Sequence, residues 1–401
     1  MVASPVETLL RRVFRDAQES PIRAMLALAN EPGMISLAGG HPDPTLIPRD
    51  WIAEAAVDVL TRIEGPALQY GATDGLPELR ESVCTLLRAR RIDARPGDVL
   101  ITTGSQQGIS LLMSVLLEAD DAVAMAPYNY PAAMQAVRFA AGRIFLLRDN
   151  LDGLAELAQA SAAALKAVYV VPSFANPTGH CMSLEARLRL LQQAARLGIC
   201  VIEDDPYGEL WFDRPPPDSL YALNQARGIG AVVAYLTSFS KILVPGFRLG
   251  ALVAPAPLRR AAMLAKQATD VHTGLLEQHV LDAMLRSPRL MHHVRGLRAA
   301  YGAKARAMTQ VLRNVAADLL AFEDPAGGMF VWARRLGDCD EQIDWFEFGR
   351  THRVLALPGS AFSPFGKCTA YLRLSFANPQ IDAVREGIER LAAGLAARAT
   401  A

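Results

Sequence analysis

Cysteine is scarce in this chain. Five of 401 residues are cysteine (Cys84, Cys181, Cys200, Cys339, Cys368), and none falls in a CxxC spacing. An odd, scattered set in a long chain argues against a disulfide framework and points to a reducing cytoplasm. The seven histidines form neither HxxxH nor HExxH, and the adjacent His292 and His293 would point to different sides of a helix, so no metal site is predicted. Charge of either sign is missing in excess: Lys+Arg and Asp+Glu both number 41, for a formal charge of zero. There is thus no electrostatic case for nucleic acid or an anionic membrane as partner. No apolar run reaches the ~18–20 residues of a membrane span. The start, MVASPVETLLRRVFRDAQES, is charged and lacks the apolar core of a signal peptide. Two phosphate-binding fingerprints are absent as well. No GxGxxG joins a first strand to a helix and no GxxxxGK[ST] occurs, which argues against a dehydrogenase and a P-loop enzyme.

What is present reads as a core-rich globular chain, with 51% hydrophobic and 20% charged residues. The length predicts about two domains. Leu9 to Phe14 suggests a short amphipathic helix, and residues 34–48 (MISLAGGHPDPTLIP) an irregular extended segment set by Gly39, Gly40 and three prolines. Residues 50–63 and 75–91 have helical apolar spacing. From residue 98, short Val- and Ile-rich runs alternate with helical segments: DVLITTG, DAVAMAP, AVYVVPS, CVIEDD, AVVAYLTS, LGALVAP. That alternation predicts an α/β fold with a mostly parallel sheet flanked by helices. Residues 256–315 look largely helical, and GGMFVWA, VLALPGS and YLRLSFA suggest a smaller α+β domain.

In open α/β sheets ligands bind beyond the carboxyl ends of the strands. Four polar clusters stand at such ends: Gly104-Ser105-Gln106-Gln107, Ala175-Asn176-Pro177-Thr178-Gly179, Asp204-Asp205-Pro206-Tyr207 and Ser238-Phe239-Ser240-Lys241. Each has a plain structural reading, as helix cap, turn or solvated strand end. If the strands lie side by side, all four converge on one crevice. A lysine there can form a Schiff base with an aldehyde cofactor. The two serines, with Arg248 seven residues after Lys241, can hold a phosphate, and together these needs point to pyridoxal phosphate.

With these motifs in hand, the chain resembles the fold-type I pyridoxal-phosphate-dependent aminotransferases of class I/II, and is most similar to the group containing 2-aminoadipate and kynurenine aminotransferases. The likeness runs from SPIR (20–23) through SLAGGHPDP, LQYGATDG, TTGSQQG, SFANPTG, EDDPY, SFSK and GGMFVW to LRLSFA. It implies a large cofactor-binding domain (49–295), a smaller C-terminal α+β domain (296–401) and an N-terminal arm (1–48) that covers the site. It implies that Lys241 carries the Schiff base and moves the substrate Cα proton, that Asp204 pairs with the pyridine nitrogen, and that Tyr207 and Asn176 bond the ring hydroxyl. Ser105, Gln106, Ser238, Ser240 and Arg248 would cradle the phosphate. Tyr130 would stack on the ring, with Tyr128 two residues earlier as the competing position. Tyr70 would reach the phosphate of a neighbouring subunit, making a homodimer the active unit. Arg373 would hold the substrate α-carboxylate by its planar fork. Ser20 and Arg23 would cover the pocket and read the substrate side chain, with Gly40 and His41 also facing it.

The function expected is amino-group exchange between an L-amino acid and a 2-oxo acid in ping-pong fashion, with glutamate as one partner. A lyase, decarboxylase or oxidase on the same cofactor is the alternative. Arg373 favours proton abstraction over decarboxylation, because a carboxylate held in the ring plane is not poised to leave. A regulator carrying this domain would need about 60–80 residues of DNA-binding winged helix ahead of it, whereas the pattern here begins by residue 20.

Overall fold

The apolar runs become strands of two main sheets in the computed structural model, which describes residues 5–15, 25, 27–63, 65–148, 153–160, 163–337, 343–366 and 370–399. In chain order the strands are β1 (Ile35–Ser36), β2 (Val99–Thr102), β3 (Ala122–Met125), β4 (Arg143–Leu146), β5 (Leu165–Val170), β6 (Cys200–Asp205), β7 (Val232–Ser238), β8 (Gly250–Val253), β9 (Leu320–Phe322), β10 (Phe330–Arg335), β11 (Val354–Leu355), β12 (Leu357–Pro358) and β13 (Tyr371–Ser375). Seven of them form one sheet in the order β2-β8-β7-β6-β5-β3-β4. Its pairs are parallel except those made by β8, which runs against both β7 and β2. Strands β2, β3, β6 and β8 are buried at every position, as a sheet covered on both faces requires.

The connecting helices start and stop where local chemistry dictates. Helix Leu184–Leu197 is capped by the Ser183 hydroxyl, which accepts from Ala186 N, and ends at Gly198 in the left-handed region. Helix Leu220–Arg227 repeats the device with Ser219 and Gly228. Helix Pro77–Ala89 places proline in its first turn, where no N–H is needed. The second sheet, β12-β13-β10-β9, is antiparallel and packs with helix Arg289–Val315, against which helix Ile381–Ala399 lies in turn, touching β1 and β11. The N-terminal segment threads onto this part: β1 pairs in parallel with β11, Leu37 N donates to Leu355 O at 2.8 Å, and Ser375 N donates to Leu37 O at 2.7 Å.

Two expectations change. The single helix at Leu9–Phe14 is instead two short pieces, Pro5–Leu9 and Arg12–Arg15. Leu9, Leu10 and Phe14 are exposed, so no apolar face is buried to offset the cost of a continuous helix. The four strand ends are also not all neighbours, because β8 stands between β2 and β7. Thr102 and Ser238 share one partner in the register, Gly250, so the ends still meet across a residue with no side chain.

Candidate active site

Alternation along β6 sends Asp204 to one face of the sheet and Glu203 and Asp205 to the other. On the second face every carboxylate is occupied. Glu203 accepts from Leu220 N and Tyr221 N, both at 2.8 Å. Asp205 pairs with Arg90 and accepts from Gly208 N at 2.9 Å and the Tyr235 hydroxyl at 3.2 Å. On the first face Asp204 Oδ2 accepts from the Tyr169 hydroxyl at 2.7 Å, while Oδ1 is buried with no hydrogen bond of normal geometry. Burial pushes the Asp204 carboxyl up to about 7, opposed by the Tyr169 bond and by the nearby Ser105 hydroxyl, and assisted by the charge of Asp205.

Beyond β7, Ser240 N donates to the Ser238 hydroxyl at 3.3 Å. Lys241 Nζ donates to Gly40 O at 2.9 Å. Burial, followed by the positive charges of Arg373 and Arg248, lowers this amine to about 8. Arg248 turns back through a left-handed backbone (φ +54°) and its Nη1 donates to the Ser240 hydroxyl at 3.3 Å. Gly104 opens helix Gly104–Leu116 at φ +74°, and a Cβ there would lie 2.8 Å from Arg248 Nη2. A Cβ on Gly250 would lie 2.8 Å from Ser105 N. Two glycines thus allow a guanidinium, two serines and the first N–H groups of a helix to share one small volume, which is the chemistry of a phosphate cradle. Gln106 Oε1 accepts from the Tyr130 hydroxyl at 2.9 Å.

Arg373, on β13, enters the site from the smaller sheet. Its Nη1 donates to Asn176 Oδ1 at 2.8 Å and its Nη2 to Ala38 O at 2.5 Å, while its buried Nε has no partner. The guanidinium carbon lies 4.2 Å from the Phe330 ring centroid and 4.8 Å from that of Phe362. Burial lowers its pKa to about 10. A Cβ on Gly40 would come within 3.9 Å of this guanidinium, so the segment passes close to it. Tyr207 is buried and bonded by the Asn176 side chain, with its phenol pushed up chiefly by burial. His41 stands beside these groups, and burial with the charges of Lys241 and Arg373 lowers its pKa.

The candidates named from sequence therefore separate into three sets. Ser105, Gln106, Tyr130, Asn176, Asp204, Tyr207, Ser238, Ser240, Lys241, Arg248, Gly40 and Arg373 come together. Tyr130 and Tyr128 part ways: Tyr128 packs against Trp332 and Tyr371, with ring centroids 5.2 and 5.6 Å away, and Tyr130 stays beside Gln106. Tyr70 is 81% exposed, touching His272 edge-on, and does not enter the site of its own chain. Ser20 and Arg23 lie outside the described residues. Sequence reasoning missed Tyr169, Gly250 and the two phenylalanines around Arg373. A tyrosine in the middle of a buried strand was the available signal for the first, since a buried hydroxyl needs a partner. Among the described residues no cluster of His, Cys, Asp or Glu could hold a metal ion, and no helix is long and apolar enough to cross a membrane.

This donor set fits pyridoxal phosphate. Asp204 Oδ1 is a buried acceptor without a partner, Lys241 is an amine with a lowered pKa, and the Arg248 corner gathers donors of the kind a phosphate takes. Fold and site define a pyridoxal-phosphate enzyme of fold type I. The profile of aminotransferase class I and II matches residues 33–391, and the chain belongs to that family. It is 36% identical to the 2-aminoadipate transaminase of Thermus thermophilus over 383 residues, 94% of each chain. Among solved structures it is similar to the alpha-aminoadipate aminotransferase of T. thermophilus complexed with N-(5'-phosphopyridoxyl)-L-leucine, with a TM-score of 0.90, 33% identity and coverage of 99% of this chain and 100% of that one. It is also similar to a kynurenine aminotransferase of Pyrococcus horikoshii in complex with PMP, with a TM-score of 0.91, 33% identity and 99% coverage of both chains. The chain is an aminotransferase with pyridoxal phosphate as cofactor.

Proposed function

We propose that this aminotransferase exchanges the amino group of L-glutamate with a second 2-oxo acid of the 2-oxoadipate or aromatic type, in two half-reactions at one site. The observation that carries the reading is the meeting of Asp204, Lys241 and Arg373 at one buried end of the sheet, each with an unmet bond or a shifted pKa that a ligand would resolve. Bound there, pyridoxal phosphate supplies an aldehyde for the amino group and a ring that accepts the electrons released at Cα. Lys241 would anchor it and, as a free amine, would take the Cα proton at Nζ; an amine lowered to about 8 is partly unprotonated near neutral pH. Asp204 would keep the ring nitrogen protonated. Tyr207 and Asn176 would bond the ring hydroxyl, Tyr130 would stack on the ring, and Ser105, Gln106, Ser238, Ser240 and Arg248 would hold the phosphate. Arg373 exchanges carbonyl and amide oxygens for the substrate α-carboxylate.

Four further parts belong to the same reading. Arg23, with Ser20, reads the substrate side chain. Tyr70, exposed in one chain, serves the site of a second copy in a homodimer. The enzyme works in the cytoplasm. Residues 1–48 act as an arm, 49–295 as the large domain and 296–401 as the small one, with helix Arg289–Val315 running through the last boundary.

The test is an absorption spectrum of the loaded enzyme before and after L-glutamate without a keto acid. Bleaching of the visible band to the near-ultraviolet form, then its return with 2-oxoadipate or an aromatic 2-oxo acid, is expected. A visible band that glutamate leaves unchanged would remove glutamate as donor.

A further inference from the structure

Tyr169 lies on β5, opposite Ile202 in the register and therefore diagonal to Asp204 on β6. It is fully buried, and its hydroxyl donates to Asp204 Oδ2 at 2.7 Å. Burial raises the phenol well above its ordinary pKa, so it remains a donor across the working range. One carboxylate oxygen is thereby used and the rotation of the group is fixed, which leaves Oδ1 without a partner. We propose that Tyr169 is a positioning residue for the cofactor: its hydroxyl keeps Asp204 ionised and turned so that Oδ1 receives the ring N–H of pyridoxal phosphate. This rests on the reading of Asp204 given above.

The surroundings make the bond consequential. Lys241 faces Asp204 with positive charge, Asp205 adds negative charge from the same strand, and Ser105, Tyr130 and Tyr207 contribute uncharged hydroxyls. Without the Tyr169 hydroxyl, burial and Asp205 favour the neutral acid. A neutral Asp204 does not hold the ring nitrogen protonated.

An internal control exists two strands away. Tyr235 on β7 is equally buried, and its hydroxyl accepts from Arg90 Nη1 at 2.7 Å and donates to Asp205 Oδ2 at 3.2 Å. Tyr169→Phe and Tyr235→Phe each remove one buried hydroxyl bonded to an acid of β6. Both variants and the wild type are loaded with pyridoxal phosphate carrying nitrogen-15 in the ring, and the nitrogen NMR shift is followed as pH rises through neutrality. In Tyr169→Phe the nitrogen should lose its proton at lower pH, the cofactor dissociation constant should rise about tenfold, and kcat should fall more than KM rises. In Tyr235→Phe the nitrogen should titrate as in the wild type. A Tyr169→Phe nitrogen that titrates as in the wild type, or an equal shift in both variants, would make Tyr169 a packing residue and sink the proposal. Failure of the wild type to take up the cofactor at Lys241 would instead remove the reading of Asp204 itself.

Discussion

The two faces of β6 carry acids one residue apart with opposite fates. Glu203 and Asp205 have each oxygen spoken for by a helix start, an arginine or a loop N–H. Asp204, just as buried, keeps one oxygen bare. A buried acid that serves the fold is saturated by the fold. One left half satisfied, as Asp204 is, keeps an oxygen that a ligand could use. Burial alone does not distinguish them, for Glu203 and Asp204 are both pushed up to about 7.

Substitutions along the strand can break this contrast. Asp204→Asn should lower kcat about 10²–10³-fold with little change in thermal stability; near-normal turnover in steady-state assays would put Asp204 back with its neighbours. Asp205→Asn should do the reverse. It leaves Arg90 half-paired in a buried setting, so chemical denaturation should show a loss of about 3 kcal/mol, while cofactor-loaded molecules retain turnover. Glu203→Gln should have the smallest effect and a distinctive pH signature. The folded-state pKa of Glu203 is raised above its ordinary 4.5, so its contribution is full below about pH 4.5 and is lost as pH rises towards about 7. Denaturation of the cofactor-free protein across that window should show a decline to which Glu203 contributes about 3 kcal/mol; Glu203→Gln should lose that share and keep the one that Asp204, raised over the same range, contributes. An unchanged slope would mean that Glu203 is ionised throughout.

Much of the candidate site was legible because its residues lie in contiguous loops just beyond apolar runs, where the alternation of strand and helix tells which end to examine. Lys241, Asp204, Asn176 and Arg248 are of this kind. Tyr169 was not, because a tyrosine inside AVYVVPS reads as core until its partner strand is known. The direction of β8 was hidden for a similar reason: an apolar run carries no arrow, and the reversal is made by the turn at Pro245–Arg248, where Arg248 takes a left-handed backbone that arginine rarely adopts. Where Tyr128 packs depends on Trp332 and Tyr371, some two hundred residues away, which give it an aromatic berth in the smaller sheet.

The Ala38–Gly40 segment has a consequence for how the site meets its ligands. Its carbonyls at Ala38 and Gly40 accept from Arg373 and Lys241, and the chain just before them is pinned by Leu37 between β11 and β13. The two cations are thus already solvated by fixed protein dipoles. A carboxylate arriving at Arg373 would replace one oxygen by another, with little reorientation of surrounding matter. The environment is polarised before the reactants enter it, and the work of orienting dipoles around charge has been done during folding.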